Sequence, residues 1–188
     1  MKKEVGWISS RCISSVLAEL AKKPLTPMQL RTRTGLTKNN YVNIILKNLE
    51  SEKIIECLNP ADRIGRVFSI SPIYTKTVVS MLRKKGINQK IKPLPQINWS
   101  AYGRLQCSYC TQLRKVFGKA NQLRLEGRII TPRTIMEKLP AMATSDIYRA
   151  LNKLAQLNLL VKPNETPKRF ILSSNGLEII ELEPNILI

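Results

Sequence analysis

Apolar residues recur at helical spacing along most of the chain, and the exceptions are short alternating runs bounded by Pro, Gly and polar clusters. Residues 8–23 put Ile8, Cys12, Ile13, Val16, Leu17 and Leu20 on one face, end in Lys22-Lys23 where cations complement a helix dipole, and stop at Pro24. Thr26 before Pro27 predicts the N-cap and first position of a short helix, Gly35 a turn, and Thr37 the cap of a second helix. That second helix carries Val42, Ile45, Leu46 and Leu49, one apolar stripe that requires burial. Residues 54–58 and 66–70 read as strands around a polar turn with Pro60 and Gly65, and Ser71-Pro72 starts another helix that ends in Arg83-Lys84-Lys85 before Gly86.

Helix, turn, helix and two-stranded hairpin is the order of a winged helix-turn-helix, whose second helix would enter a major groove while the hairpin tip reaches the backbone or minor groove. The order occurs twice. Adding 105 carries Thr26-Pro27 to Thr131-Pro132, Val42 to Ile147, Leu46 to Leu151, Leu49 to Leu154 and Ile54-Ile55 to Leu159-Leu160. Phe68 best matches Phe170, 102 positions on, which places a three-residue deletion in the second hairpin tip, where length changes are tolerated. Chance agreement between two amphipathic helices is the alternative. The expected fold is mainly α with small β-hairpins (α+β): one domain at 1–86, a stiff linker at 87–98 with Pro93 and Pro95, and a second domain at 99–188.

In the second half, residues 100–126 keep helical spacing through Tyr102, Leu105, Tyr109, Leu113, Val116, Phe117, Ala120 and Leu123. The repeat needs a helix only from about residue 113, so the earlier turns are expected to pack on the first domain or form a homodimer through the 100–126 helix. A break at Gly118 is the rival reading. Residues 131–157 repeat the helix pair, with Pro140 in place of the turn glycine and Thr144 as a cap. Strands at 159–162 and 169–172 flank a tip with Pro163, Asn164 and Pro167, and Ser174 or Asn175 opens a last helix. Glu178, Glu181 and Glu183 make that end acidic, and it should face away from a polyanion; Ile186-Leu187-Ile188 should pack on the core.

Charge narrows the partner. The 188 residues carry 31 Lys+Arg against 13 Asp+Glu, a net charge of +18. Residues 1–90 hold 17 cations and 6 carboxylates (+11), residues 91–188 hold 14 and 7 (+7), and from Arg63 to Leu125 there is no carboxylate among thirteen Lys or Arg. Such an excess attracts polyanions, nucleic acid above all; the plainer reading is solubility or a lysine-rich proteome. No run approaches 18 apolar residues, and Arg11 interrupts what could be a signal peptide, so no membrane partner and a cytoplasmic, nucleoid-associated location are expected.

The chain has no histidine, no phosphate-cradling glycine loop and no usefully spaced carboxylates, so catalytic residues, cofactors and metal ligands are none. Cys12 and Cys57 fall at apolar or strand positions. Cys107-Ser-Tyr-Cys110 is the sole redox-like spacing, readable as plain thiols or as a redox-sensitive pair.

Opposite the buried stripe, the first helix-turn-helix presents Asn40, Asn43, Ile44 and Lys47, and the second presents Ser145, Tyr148, Arg149 and Asn152. Asn can bond an adenine edge and Lys a guanine or phosphate; Ile44 would meet a thymine methyl or be covered by a neighbouring helix. Lys38, Arg63, Arg66, Lys162, Lys168 and Arg169 are the expected hairpin and backbone contacts. The run KIIECLNPADRIGRVFSIS resembles the strand-wing-strand segment of archaeal winged helix-turn-helix transcriptional regulators, over about 20 residues plus the preceding helices. The resemblance implies double-stranded DNA as partner, with Asn40, Asn43 and Lys47 in the groove and Arg63 and Arg66 on the wing. Ser71-Pro72 departs from the glycine-containing helix start of that class. A sequence-specific DNA-binding regulator is therefore expected; the alternatives are a component of replication or chromatin machinery, an RNA binder, or a winged-helix assembly factor.

Overall fold

The computed structural model describes residues 10–36, 41–163 and 168–184. Among the described residues the chain is mainly helical with two small antiparallel sheets, and it divides into two units, Met1–Gln96 and Ile97–Ile188. Residues 87–96 belong to the first unit, where Ile87 and Ile91 pack on its core, and Ile97 begins the second.

The first unit runs α1 (Ser10–Lys22), α2 (Pro27–Thr34), α3 (Tyr41–Ser51), β1 (Ile55–Cys57), β2 (Phe68–Ile70), a 3-10 turn (Pro72–Tyr74) and α4 (Thr75–Lys84). Thr26 and Gln29 cap α2 reciprocally: Thr26 Oγ1 accepts from Gln29 N at 3.3 Å, and Gln29 Oε1 accepts from Thr26 N at 2.9 Å. Gly35 ends the helix at φ 67°, a left-handed conformation that Gly adopts without steric cost. The apolar stripes then meet, and Val16, Leu17, Leu20, Leu30, Val42, Ile45, Leu46 and Leu82 are all buried in one core. In the hairpin Ile55 faces Ile70 and Cys57 faces Phe68. Leu25, just before α2, exchanges two backbone hydrogen bonds with Phe68, so the hairpin is stitched to the start of the helix pair.

The second unit runs α5 (Trp99–Gln106), a 3-10 turn (Ser108–Cys110), α6 (Thr111–Leu125), α7 (Pro132–Lys138), α8 (Thr144–Gln156), β3 (Leu160–Val161), β4 (Ile171–Leu172) and α9 (Ser174–Leu182). Its backbone repeats the first unit in detail. Ile130 bridges Phe170 as Leu25 bridges Phe68, and Leu160 faces Leu172 as Ile55 faces Ile70. Asn158 (φ 54°) stands where Lys53 (φ 58°) stands, each in the left-handed turn that leaves the second helix. The shift is 105 up to the first strand and 102 from the second, as the sequence repeat requires.

Several expectations are corrected. Residues 100–126 are not one helix, and the interruption lies at Cys107 rather than at Gly118, which is buried inside α6. Cys107 is extended (ψ 138°), and the Arg114 guanidinium donates to the carbonyls of Leu105 (2.7 Å) and Cys107 (2.9 Å), satisfying the acceptors that a broken helix leaves open. Of the apolar residues in the turns before residue 113, Tyr102 and Leu105 are fully buried, with the Trp99 ring edge-on to Tyr102 at 5.6 Å, and Tyr109 is exposed. Thr144 is the first residue of α8 rather than its cap, and its hydroxyl turns to the Met136 sulfur. The last helix does open at Ser174, one of the two expected starts, and its cap is Ser173, whose Oγ accepts from Gly176 N at 2.9 Å. Gly176 also sits so close to the strand lead-in that a Cβ would lie 2.4 Å from the Leu159 carbonyl oxygen. Ser71 and Pro72 open the 3-10 turn, and α4 itself begins three residues later. Thr37, Lys38, Asn40, the tip residues Asn164 and Pro167, and Ile186-Leu187-Ile188 lie outside the described residues.

Candidate nucleic-acid interface

On α3, burial of Val42, Ile45, Leu46 and Leu49 turns Asn43 and Lys47, one helical turn apart, to solvent. Among the described residues neither side chain has a partner, so both keep their full hydrogen-bonding capacity. Ile44, between the two faces, is half-buried.

On α8, burial of Ile147, Ala150, Leu151 and Leu154 exposes Ser145, Tyr148, Arg149 and Asn152. This face is more constrained. Arg149 pairs with Asp146 at 2.9 Å, and the other Asp146 carboxylate oxygen accepts from Gln112 at 3.4 Å. Asn152 Oδ1 accepts from Lys162 Nζ at 2.8 Å, which ties the hairpin to the helix. Lys162 also lies over the Phe170 ring, 5.3 Å from its centroid.

The hairpins differ. Arg63 is exposed and, among the described residues, without a partner. Arg66 turns inward: it pairs with Glu50 of α3 at 2.7 Å, donates to the Cys57 sulfur at 3.4 Å and covers the Phe68 ring at 4.9 Å. Burial alone would lower its pKa, but Cys57 and Glu50 together outweigh that and hold it above its ordinary value. Asn59, buried at the tip base, donates to Asp62 and to the Gly65 carbonyl and accepts from Val67 N at 2.7 Å, which fixes the turn. In the second hairpin Lys168 and Arg169 are exposed.

Three carboxylates elsewhere also pair with cations of their own unit. Glu19 pairs with Lys22 and Arg33, Glu137 with Arg128 and Arg133, and Glu126 with Lys138 at 2.8 Å. The Lys138 hydrogen bond, helped by Gln122, holds Glu126 below the usual carboxylate range. With 31 cations to 13 carboxylates, such pairing leaves a large positive surplus.

Cys107 is buried and Cys110 half-buried, both as free thiols. Burial first, then the neighbouring Cys107, pushes the Cys110 thiol up against the opposing pull of Arg104 and Arg114, so it is a poorer nucleophile at neutral pH than a solvated cysteine. Among the described residues no group of three or more His, Cys, Asp or Glu is placed to hold a metal ion, and no helix is long and apolar enough to cross a membrane.

Two residues that shape these faces were not anticipated. Asp146 was legible in principle, since an acid three residues before Arg149 on a helix forms a local pair. Glu50 was not, because its partner lies 16 residues away across the hairpin. The chain matches no known family model, no curated protein and no solved structure.

Proposed function

We propose that each unit is a winged helix-turn-helix and that the chain is a DNA-binding protein, a sequence-specific transcription regulator using both modules. The observation that carries this reading is the pairing of an outward polar face on the second helix of each pair, Asn43 with Lys47 and Ser145, Tyr148 and Asn152, with an adjacent hairpin bearing exposed positive charge, Arg63 in the first unit and Lys162, Lys168 and Arg169 in the second. Such a face offers donors and acceptors to base edges, and the hairpin cations can meet phosphates, which position the helix without specifying sequence. The net charge of +18 supplies the long-range attraction.

α3 and α8 would lie in major grooves, with Arg63 from the first hairpin and Lys162, Lys168 and Arg169 from the second on the backbone or minor groove. Selection of bound duplexes from a random pool, followed by titration against the selected site and a scrambled one, tests the assignment. A regulator of this kind should prefer its site by on the order of 10³-fold or more. Equal affinity for both would leave a nonspecific nucleic-acid binder, and no binding to DNA at low salt would refute the reading outright.

A further inference from the structure

The two hairpins do not carry the charge that their units suggest. Residues 55–70 hold Arg63 and Arg66 against Glu56 and Asp62, net zero, whereas residues 160–172 hold Lys162, Lys168 and Arg169 against Glu165, net +2. Bulk charge runs the other way, +11 for residues 1–90 and +7 for residues 91–188. The first unit is the more basic one and yet has the neutral hairpin.

Register adds a second difference, outside that count. By the shifts of 105 and 102, Asn152 stands where Lys47 stands, Ala155 where Glu50 stands, Lys162 where Cys57 stands and Lys168 where Arg66 stands. Each unit places one cation over its hairpin phenylalanine and ties it to the second helix of the pair. In the first unit the tie is the Glu50 carboxylate, which cancels the charge of Arg66. In the second it is the amide of Asn152, which fixes the Lys162 ammonium and leaves its charge intact. Lys162 keeps two of its three donors for another acceptor, and Lys168 is exposed with no partner among the described residues.

We propose that the crease between α8 and its hairpin, built on Asn152, Lys162 and Lys168, is the main phosphate-gripping surface of the chain, and that Glu50 cancels the corresponding hairpin cation of the first unit, Arg66. The partner is the phosphate backbone of duplex DNA, so the proposal rests on the DNA-binding reading above. An ammonium held by a neutral amide and an aromatic face is oriented before binding and loses little freedom on contact. The first unit, with Arg66 neutralised, is left with Arg63 as its exposed hairpin cation beside the polar face of α3.

The test is the salt dependence of full-length protein binding to a random-sequence duplex, followed by fluorescence anisotropy. Each phosphate neutralised contributes about 0.9 to the slope of log affinity against log salt. Lys162→Gln with Lys168→Gln should lower the slope by about two, and Glu50→Gln, which releases Arg66, should raise it by about one. Asn152→Ala should weaken binding with the slope nearly kept, because the charge remains while its orientation is lost. If wild-type protein binds but the double variant keeps its slope, the gripping surface is elsewhere and the proposal fails, with the DNA-binding reading intact. An unchanged slope for Glu50→Gln, in protein whose thermal melt matches wild type, removes the cancelling role of Glu50. Absence of wild-type binding at low salt would refute the underlying reading and this proposal with it.

Discussion

Asn43 and Arg63 occupy different positions in the proposed complex, and truncation should separate them. A side chain bonded to a base edge contributes about 1–3 kcal/mol of discrimination, so Asn43→Ala should weaken the selected site and spare random DNA. Arg63→Ala should weaken both alike and lower the salt slope by about one, since a phosphate carries no sequence information. Paired titrations on selected and scrambled duplexes at two salt concentrations make the comparison; equal losses for Asn43→Ala on both duplexes would remove it from the groove. Cys110 allows a pH measurement. Its thiol is pushed up, so the thiolate forms at higher pH than for a solvated cysteine. Alkylation of Cys110, followed by peptide mass analysis from pH 7 to pH 10, should lag behind a model thiol at low pH and converge as pH rises. A rate at pH 7 above that of the model thiol would mean the site is activated.

Elements were legible in the sequence to the extent that local rules determine them. The stripes of α1, α3 and α8, the Thr-Pro starts of α2 and α7, and the hairpin lengths all follow from spacing and cap chemistry within a few residues. What escaped was non-local. Periodicity alone continues through Cys107, because the side chain that stabilises the break, Arg114, lies seven residues downstream and acts through its guanidinium. Likewise nothing near Arg66 in sequence announces that Glu50 neutralises it. Two stability measurements follow. Arg114→Ala leaves two carbonyls without their charged donor and should cost about 1.5–3 kcal/mol by denaturant unfolding; a loss under 0.5 kcal/mol would mean that water replaces it fully. Thr131→Ala removes an N-cap and should cost about 1 kcal/mol, matched by Thr26→Ala in the first unit, since both hydroxyls accept from the residue three positions on. The candidate groove faces were legible by subtraction, as whatever the buried stripe leaves outside. Their partners were not, because Asn152 and Lys162 meet only once the hairpin has folded back.

For the molecule as a whole, charge and duplication set the expectation. Two modules acting on one duplex should give a log–log salt slope reflecting about six or more phosphate contacts, measured on wild-type protein with a selected site. A slope of one or two would mean that a single module engages. The number of copies in solution can be checked separately with Leu105→Glu. Leu105 is fully buried, so the charge should lower the unfolding midpoint sharply rather than split a dimer. Sedimentation that gives a dimer for wild type and a folded monomer for the variant would contradict that burial.

The bridges from Leu25 to Phe68 and from Ile130 to Phe170 carry a kinetic consequence. Each joins backbone about 40 residues apart, a loop closure that local helix formation does not assist. During synthesis, each helix pair therefore leaves the ribosome well before the strand that stitches it shut, with its apolar stripes still incompletely covered. The Phe68 and Phe170 amides, which donate back across these bridges, should report the closing step: in pulsed hydrogen exchange they gain protection after the amides of α3 and α8, at similar rates in the two units.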